Sequence, residues 1–155
     1  MVIIMNTINL KSFELENYHT YNEYHNNIIN RLSSDEGVRK YLGDLKYLIT
    51  RIQQRYQENF VDTLYIVYKD NEPIGIATLC IRDEKYEIDY SILPEYRQKH
   101  YATDLLNEFT EYLFKKYFNI NKIYLQIDDT NEKSKIVAQR NGYVNYQGDI
   151  YYKAR

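Results

Sequence analysis

The chain has 155 residues, 44% of them hydrophobic and 27% charged, with a formal net charge of -2. That length fits a single domain, residues 1–155, with a sizeable core, and the charge balance offers no basic footprint for nucleic acid. Cys80 is the single cysteine, which excludes an intrachain disulfide and cysteine-based zinc sites, and His19, His25 and His100 form no metal-ligand pattern.

The opening MVIIM is too short for a signal-peptide core or a membrane span, so a cytoplasmic protein without membrane or nucleic-acid partner is expected. Ile8 to Leu15 alternates and suits a first strand. From Asn17 to Leu32, Tyr18, Tyr21, Tyr24, Ile28, Ile29 and Leu32 recur at helical spacing. Ser33-Ser34-Asp35 breaks that pattern and supplies a cap for the next helix. A second helical pattern runs through Tyr41, Leu42, Leu45, Leu48, Ile49, Ile52 and Tyr56, interrupted near its start by Gly43.

The period then changes. Leu64 to Tyr68, Ile74 to Ile81 and Tyr86 to Leu93 read as three strands, with turns at Asp70-Asn71-Glu72-Pro73 and Asp83-Glu84-Lys85. The spacing makes them an antiparallel meander. Ala102, Leu105, Leu106, Phe109, Leu113 and Tyr117 form the clearest helical stripe in the chain. Ile123 to Ile127 is a strand. Asn131 to Arg140 is a short helix stopped by Asn141-Gly142. Tyr143 to Tyr146 and Ile150 to Lys153 close the chain as a hairpin around Gly148-Asp149.

The order is β-α-α-β-β-β-α-β-α-β-β. The helix between the third meander strand and Ile123 is a crossover, so those two strands are expected to be parallel neighbours. A strand feeding a helix N-terminus through Leu93-Pro94-Glu95-Tyr96-Arg97-Gln98-Lys99-His100-Tyr101-Ala102-Thr103 is a natural anion site. The first N–H groups of a helix are unpaired and its dipole favours negative charge there.

Arg97 to Ala102 resembles the Arg/Gln-x-x-Gly-x-Gly/Ala loop of the GNAT superfamily of acetyl-CoA-dependent N-acetyltransferases. Asn131-x-x-Ser134-x-x-Val137-Ala138-x-x-Asn141-Gly142-Tyr143 resembles that family's closing segment. Ser134 with Val137-Ala138, and the stretch Asp35 to Gly43, are similar to the RimJ/RimL-like branch. The resemblance implies an α/β, GNAT-like mixed and mostly antiparallel sheet of about seven strands, flanked by about four helices. It implies acetyl-CoA as cosubstrate, no metal, and direct transfer to a primary amine on a protein N-terminus or a small molecule, by a monomer or homodimer. A non-catalytic acyl-CoA-binding or protein-interaction module on the same fold is the alternative.

Carried over residue by residue, the resemblance implies cofactor binding by Ser91, Ile92, Leu93, Arg97, Gln98, Lys99, His100, Tyr101, Ala102, Thr103 and Asn131. A backbone N–H near Ile92 would polarise the thioester carbonyl. Gln98 and His100 depart from the glycine pattern; in ordinary helical conformations they would still offer backbone N–H groups. Glu87, Asp89 and Ser91 alternate onto one face of their strand. Glu87 is the first candidate for general base and Asp89 the second. Many relatives carry a Tyr where this chain has Ala138, so proton donation to the thiolate falls to Ser134, with Tyr101, Tyr143 and water as alternatives. Asp35, Glu36, Asp44, Glu87, Asp89, Asp128 and Asp129 are read as a solvated surface unless the fold brings them together. Cys80 is read as a packing residue.

Overall fold

A computed structural model describes residues 7–18, 23–58 and 60–155 of the chain. In order, the elements are β1 (Thr7–Asn9), β2 (Glu14–Asn17), α1 (Glu23–Ser33), α2 (Glu36–Tyr41), α3 (Leu45–Gln57), β3 (Thr63–Lys69), β4 (Glu72–Arg82), β5 (Lys85–Ile92), α4 (Tyr101–Lys116), β6 (Lys122–Gln126), α5 (Glu132–Arg140), β7 (Val144–Gln147) and β8 (Ile150–Ala154). A 3-10 turn, Pro94–Tyr96, joins β5 to α4. The eight strands form one mixed sheet in the spatial order β1-β2-β3-β4-β5-β6-β8-β7.

The meander turns follow from their residues. Asp70-Asn71 and Asp83-Glu84 all take positive φ, the backbone that a two-residue hairpin turn needs to match strand twist. The crossover through α4 makes β5 and β6 parallel neighbours, as expected. Alternation then divides the core between two faces. Tyr65, Ile88, Ile92, Ile123 and Leu125 pack under Leu105, Leu106, Phe109 and Leu113 of α4. Leu64, Ile66, Ile76 and Leu93 pack under Ile28, Leu32, Leu48 and Ile52 of α1 and α3. At the chain's end, Arg155 donates to the carbonyls of Phe114, Tyr117 and Ile120, which leave the C-terminus of α4 with no helical partner.

Three boundaries differ from the sequence reading. The expected strand Ile8 to Leu15 is a hairpin, with Thr7 opposite Glu16 and a turn closed by Leu10 N–H donating to Phe13. Its turn residues, Lys11 and Ser12, carry no turn signal; Ser12 N–H is instead anchored at 2.6 Å on Glu108 of α4. Asn17, expected in the first helix, pairs instead in β2 opposite Tyr65; residues 19–22 lie outside the described residues, and the described part of α1 is Glu23–Ser33. The second helical pattern is two helices. Asp35 caps α2 by accepting from Val38 N–H, Gly43 takes φ +78, and Asp44 caps α3 by accepting from Lys46 and Tyr47 N–H.

Candidate active site

The site is built where β5 and β6 part. They share a single register point, Glu87 opposite Tyr124, and beyond it they splay. In an antiparallel ladder, successive residues turn their backbone groups alternately toward and away from a given partner. Leu93 N–H donates to Ile74 on β4, so Leu93, Ser91, Asp89 and Glu87 turn toward β4. Ile92 and Tyr90 therefore turn their backbone groups the other way, into the gap that β6 has left. A cleft of about 60 Å³ lies there, lined by Ile88, Asp89, Tyr90, Gln126, Ile127 and Ser134, together with Tyr41 and Leu42 of the α2 end.

Gly75 lets β4 sit this close to β5. It stands opposite Ile92, and a Cβ at that position would lie 2.2 Å from the Ser91 carbonyl oxygen. Ser91 and Leu93, both expected at the cofactor, thus spend their backbone groups on β4. Ile92 turns its N–H away from β4, while its carbonyl accepts from Arg97 Nε at 2.8 Å.

Gln98 and His100 correct one expectation. They are not in ordinary helical conformations: φ is +63 at Gln98 and +61 at His100, the left-handed region that glycine occupies without strain. The loop keeps a glycine backbone with non-glycine residues. Among the described residues, no backbone carbonyl accepts from the N–H groups of Gln98, Lys99 or His100. The first-turn N–H groups of α4, on Tyr101, Ala102 and Thr103, follow directly. Six successive N–H groups therefore gather at the positive end of a 16-residue helix, in the loop that leaves β5.

The side chains of this loop have other tasks. Arg97 spreads its terminal nitrogens over both Asp35 oxygens, at 3.4 and 2.9 Å. On the neighbouring turn, Arg31 pairs with Glu95. Tyr101 meets Phe13 edge-on, and the Lys99 ammonium lies over Tyr96. At the far end of α2, the Tyr41 hydroxyl reaches Thr130 Oγ1 at 3.4 Å. The short helix α2 is thus tied at one end to the β5–α4 loop and at the other to the β6–α5 loop.

On the α1/α3 face, Glu87 and Asp89 both meet Arg82, at 3.2 and 3.9 Å. Burial raises both carboxyl pKa values, and Arg82 opposes the rise. Asp62 lies nearby, tied to Arg55 at 2.9 Å. Among the seven acidic residues singled out by sequence, Glu87 and Asp89 are the pair that converge here. Asp35 serves Arg97, Asp44 a helix cap, Asp128 the Thr130 N–H, and Asp129 Lys135. Cys80 is buried opposite Glu87, and burial pushes its thiol up to about 12, which leaves it inert as a nucleophile.

On the opposite face, Asn131 caps α5 by accepting from Ser134 N–H at 3.3 Å, which sets Ser134 over the cleft. Tyr143, offered by sequence as a proton donor, is buried with its hydroxyl 2.6 Å from Thr110 Oγ1, away from the cleft lining. Sequence reasoning missed Tyr90. Its backbone shares the open edge with Ile92, and it lines the same cleft as Ser134. The signal was the strand's alternation: two residues before Ile92 on β5 must present the same edge.

Residues 11–144 match the family model of the acetyltransferase (GNAT) domain. No curated protein matches the sequence significantly. Among solved structures, the chain is similar to RimL, a ribosomal L7/L12 alpha-N-protein acetyltransferase, in its apo form: 14% identity, TM-score 0.77, covering 99% of this chain and 96% of that one. It is similar to the Campylobacter jejuni N-acetyltransferase PseH in complex with acetyl coenzyme A, with 18% identity, TM-score 0.68, and 90% and 95% of the two chains covered. It is also similar to an acetyltransferase from Agrobacterium tumefaciens, with 12% identity, TM-score 0.78, and 100% and 98% covered.

Proposed function

We infer that this chain, which belongs to the GNAT acetyltransferase family, moves an acetyl group from acetyl-CoA directly to a primary amine. The observation that carries the reading is the splayed, parallel β5/β6 pair, whose open edge at Tyr90 and Ile92 runs into six unclaimed N–H groups at residues 98–103. The open strand edge takes the amide-rich pantetheine arm as a further strand would. The N–H groups of the loop and of the first turn of α4 take the pyrophosphate. Arg97 holds the loop shut against α2 rather than forking onto a phosphate.

The thioester then lies at the splay. Ile92 N–H donates to the carbonyl oxygen as negative charge builds on it, a contribution worth about 3 kcal/mol where such donors have been removed. The acceptor amine approaches from the α1/α3 face. There Glu87, through a water, takes the proton that nitrogen sheds. Burial raises the Glu87 pKa toward that of the amine, and Arg82 opposes the rise. An α-amino acceptor, with pKa about 8, needs less help than a lysine at about 10.4. The acceptor is a protein N-terminus or a small primary amine, in keeping with a RimJ/RimL-like branch and a cytoplasmic setting. Among the described residues no helix is long and apolar enough to cross a membrane.

Calorimetric titration with acetyl-CoA and with CoA, followed by thiol release on addition of peptides and small amines, tests this. Saturable binding with amine-dependent release is expected. Absence of binding at millimolar acetyl-CoA would end the reading, and binding without release to any amine would favour a non-catalytic acyl-CoA module.

A further inference from the structure

We propose, resting on the acetyl-transfer reading and naming a substrate class for it, that the tyrosine face beside Glu87 docks the acceptor and selects an extended peptide whose free N-terminus is closely followed by acidic side chains. Glu87 stands opposite Tyr124, and Tyr124 opposite Tyr152, so the three side chains share one face of the sheet. Their strand neighbours Ile123, Leu125 and Tyr151 turn the other way, into the core under α4. Tyr146 joins the row from β7. Ring centroids lie 6.2 Å apart from Tyr124 to Tyr152 and 6.0 Å apart from Tyr152 to Tyr146. One ring on each of three adjacent strands spans about 10 Å of sheet at ordinary strand spacing. The helices of this face sit elsewhere: among the described residues, the strand residues buried beneath α1 and α3 come from β3 and β4, not from β6, β7 or β8. Tyr146 is left 58% exposed. A contiguous exposed aromatic surface of this kind marks a binding site, and tyrosine supplies contact area at low entropic cost.

Charge gives the face a direction. Toward the cleft stand carboxylates: Glu87 and Asp89 around Arg82, and Asp149, which accepts from Gln126 Nε2 at 3.2 Å. Away from it stand two ammonium groups, Lys85 at 5.5 Å from the centre of the Tyr124 ring and Lys122 at 5.0 Å from that of Tyr152. Among the described residues neither lysine has a carboxylate partner, not even the exposed turn residues Asp83 and Glu84 that precede Lys85. An amine is cationic until it sheds its proton, so it is drawn to the carboxylate side. A peptide running from there across Tyr124 and Tyr152 passes both ammonium groups within about 10 Å, roughly three extended residues. Acidic side chains over that length pair with Lys85 and Lys122, and the apolar stems of the peptide lie on the rings. A small amine occupies the Glu87 end alone and gains nothing from the second and third rings.

The test uses the full chain saturated with CoA and two peptides labelled with fluorescein at the C-terminus. They share one N-terminal residue and differ in carrying Glu or Gln at the next three positions. Binding is read by anisotropy, and transfer as kcat/KM with acetyl-CoA. Wild type is expected to favour the Glu peptide about tenfold in both readouts, less so at high salt. The pair Lys85→Gln and Lys122→Gln should erase that preference, and Tyr152→Ala should weaken binding of both peptides about tenfold. Calorimetric CoA affinity should be unchanged in every variant, which shows that each one folds. Absent or equal binding of the two peptides by wild type, or a preference that survives loss of both lysines, would overturn the proposal. So would a dimer in sedimentation velocity that Tyr152→Ala dissolves, which would give the face to a second copy of the chain. The expected peptide preference without acetylation of any peptide or amine would overturn the acetyl-transfer reading while supporting the face as a peptide site.

Discussion

Replacing Gln98 and His100 by glycine, singly and together, is expected to stabilise the protein. Both residues hold positive φ, +63 and +61, in a loop where their side chains are exposed and His100 makes no capping bond. A left-handed conformation costs a non-glycine residue about 1–2 kcal/mol. Glycine removes that strain but gives the unfolded chain extra freedom, worth about 0.5–1 kcal/mol. The net gain is about 0.5–1 kcal/mol for each position and about 1–2 kcal/mol for both. In a chain of this size each kcal/mol moves the midpoint of thermal unfolding by about 2–4 °C. Urea unfolding with an unchanged slope is the assay. CoA affinity should stay within about threefold, since the loop already has the backbone that glycine would permit. Loss of stability in the double variant, or a large tightening of CoA binding, would show that the wild-type loop does not hold this conformation.

Gly75→Ala places a Cβ where the Ser91 carbonyl stands, so β5 must move; a loss of about 1–3 kcal/mol in urea unfolding is expected, with weaker CoA binding by calorimetry. Turnover should fall in acid as Glu87 protonates, at a pKa raised above the ordinary 4.5 by burial, and Glu87→Gln should abolish that limb of the kcat/KM profile. Arg82→Met removes the charge opposing the rise, and the limb should move to higher pH. The sign for folding is the same: the folded chain holds the Glu87 proton more tightly than the unfolded one. That contribution is complete below pH 4.5 and fades as pH rises through the raised value, so Glu87→Gln should flatten stability against pH there. Tyr143→Phe should cost about 1–3 kcal/mol, by leaving the Thr110 hydroxyl unpaired, without changing turnover.

The long-period features of the fold were legible in the sequence. The apolar stripe of α4 and the turns of the meander act locally, and each appears where its residues placed it. The parallel neighbours β5 and β6 followed from the crossover rule. The β1–β2 hairpin was not legible, because its turn is held by a carboxylate 96 residues away, Glu108, rather than by turn residues of its own. The same limit governs the site. Glu87 and Asp89 share a face by simple alternation and Arg82 meets them across the β4–β5 hairpin, five residues from Glu87, yet the burial that raises their pKa values comes from tertiary packing. The positive φ of Gln98 and His100 ran against their residue types, and the family pattern of glycines was the better guide to the backbone than the residues themselves. Tyr90 was hidden among 19 tyrosines, and its distinction is positional: one strand edge left open by a neighbour that turns away.

Transfer of acetyl from acetyl-CoA to an amine at the β5/β6 splay is tested most directly by mass spectrometry. A panel of peptides with free N-termini and of small primary amines is incubated with the protein and isotope-labelled acetyl-CoA. A labelled acetyl group on at least one amine is expected, formed at a rate that Glu87→Gln lowers while CoA affinity is unchanged. CoA bound in the cleft with no labelled amine across the panel would contradict acetyl transfer.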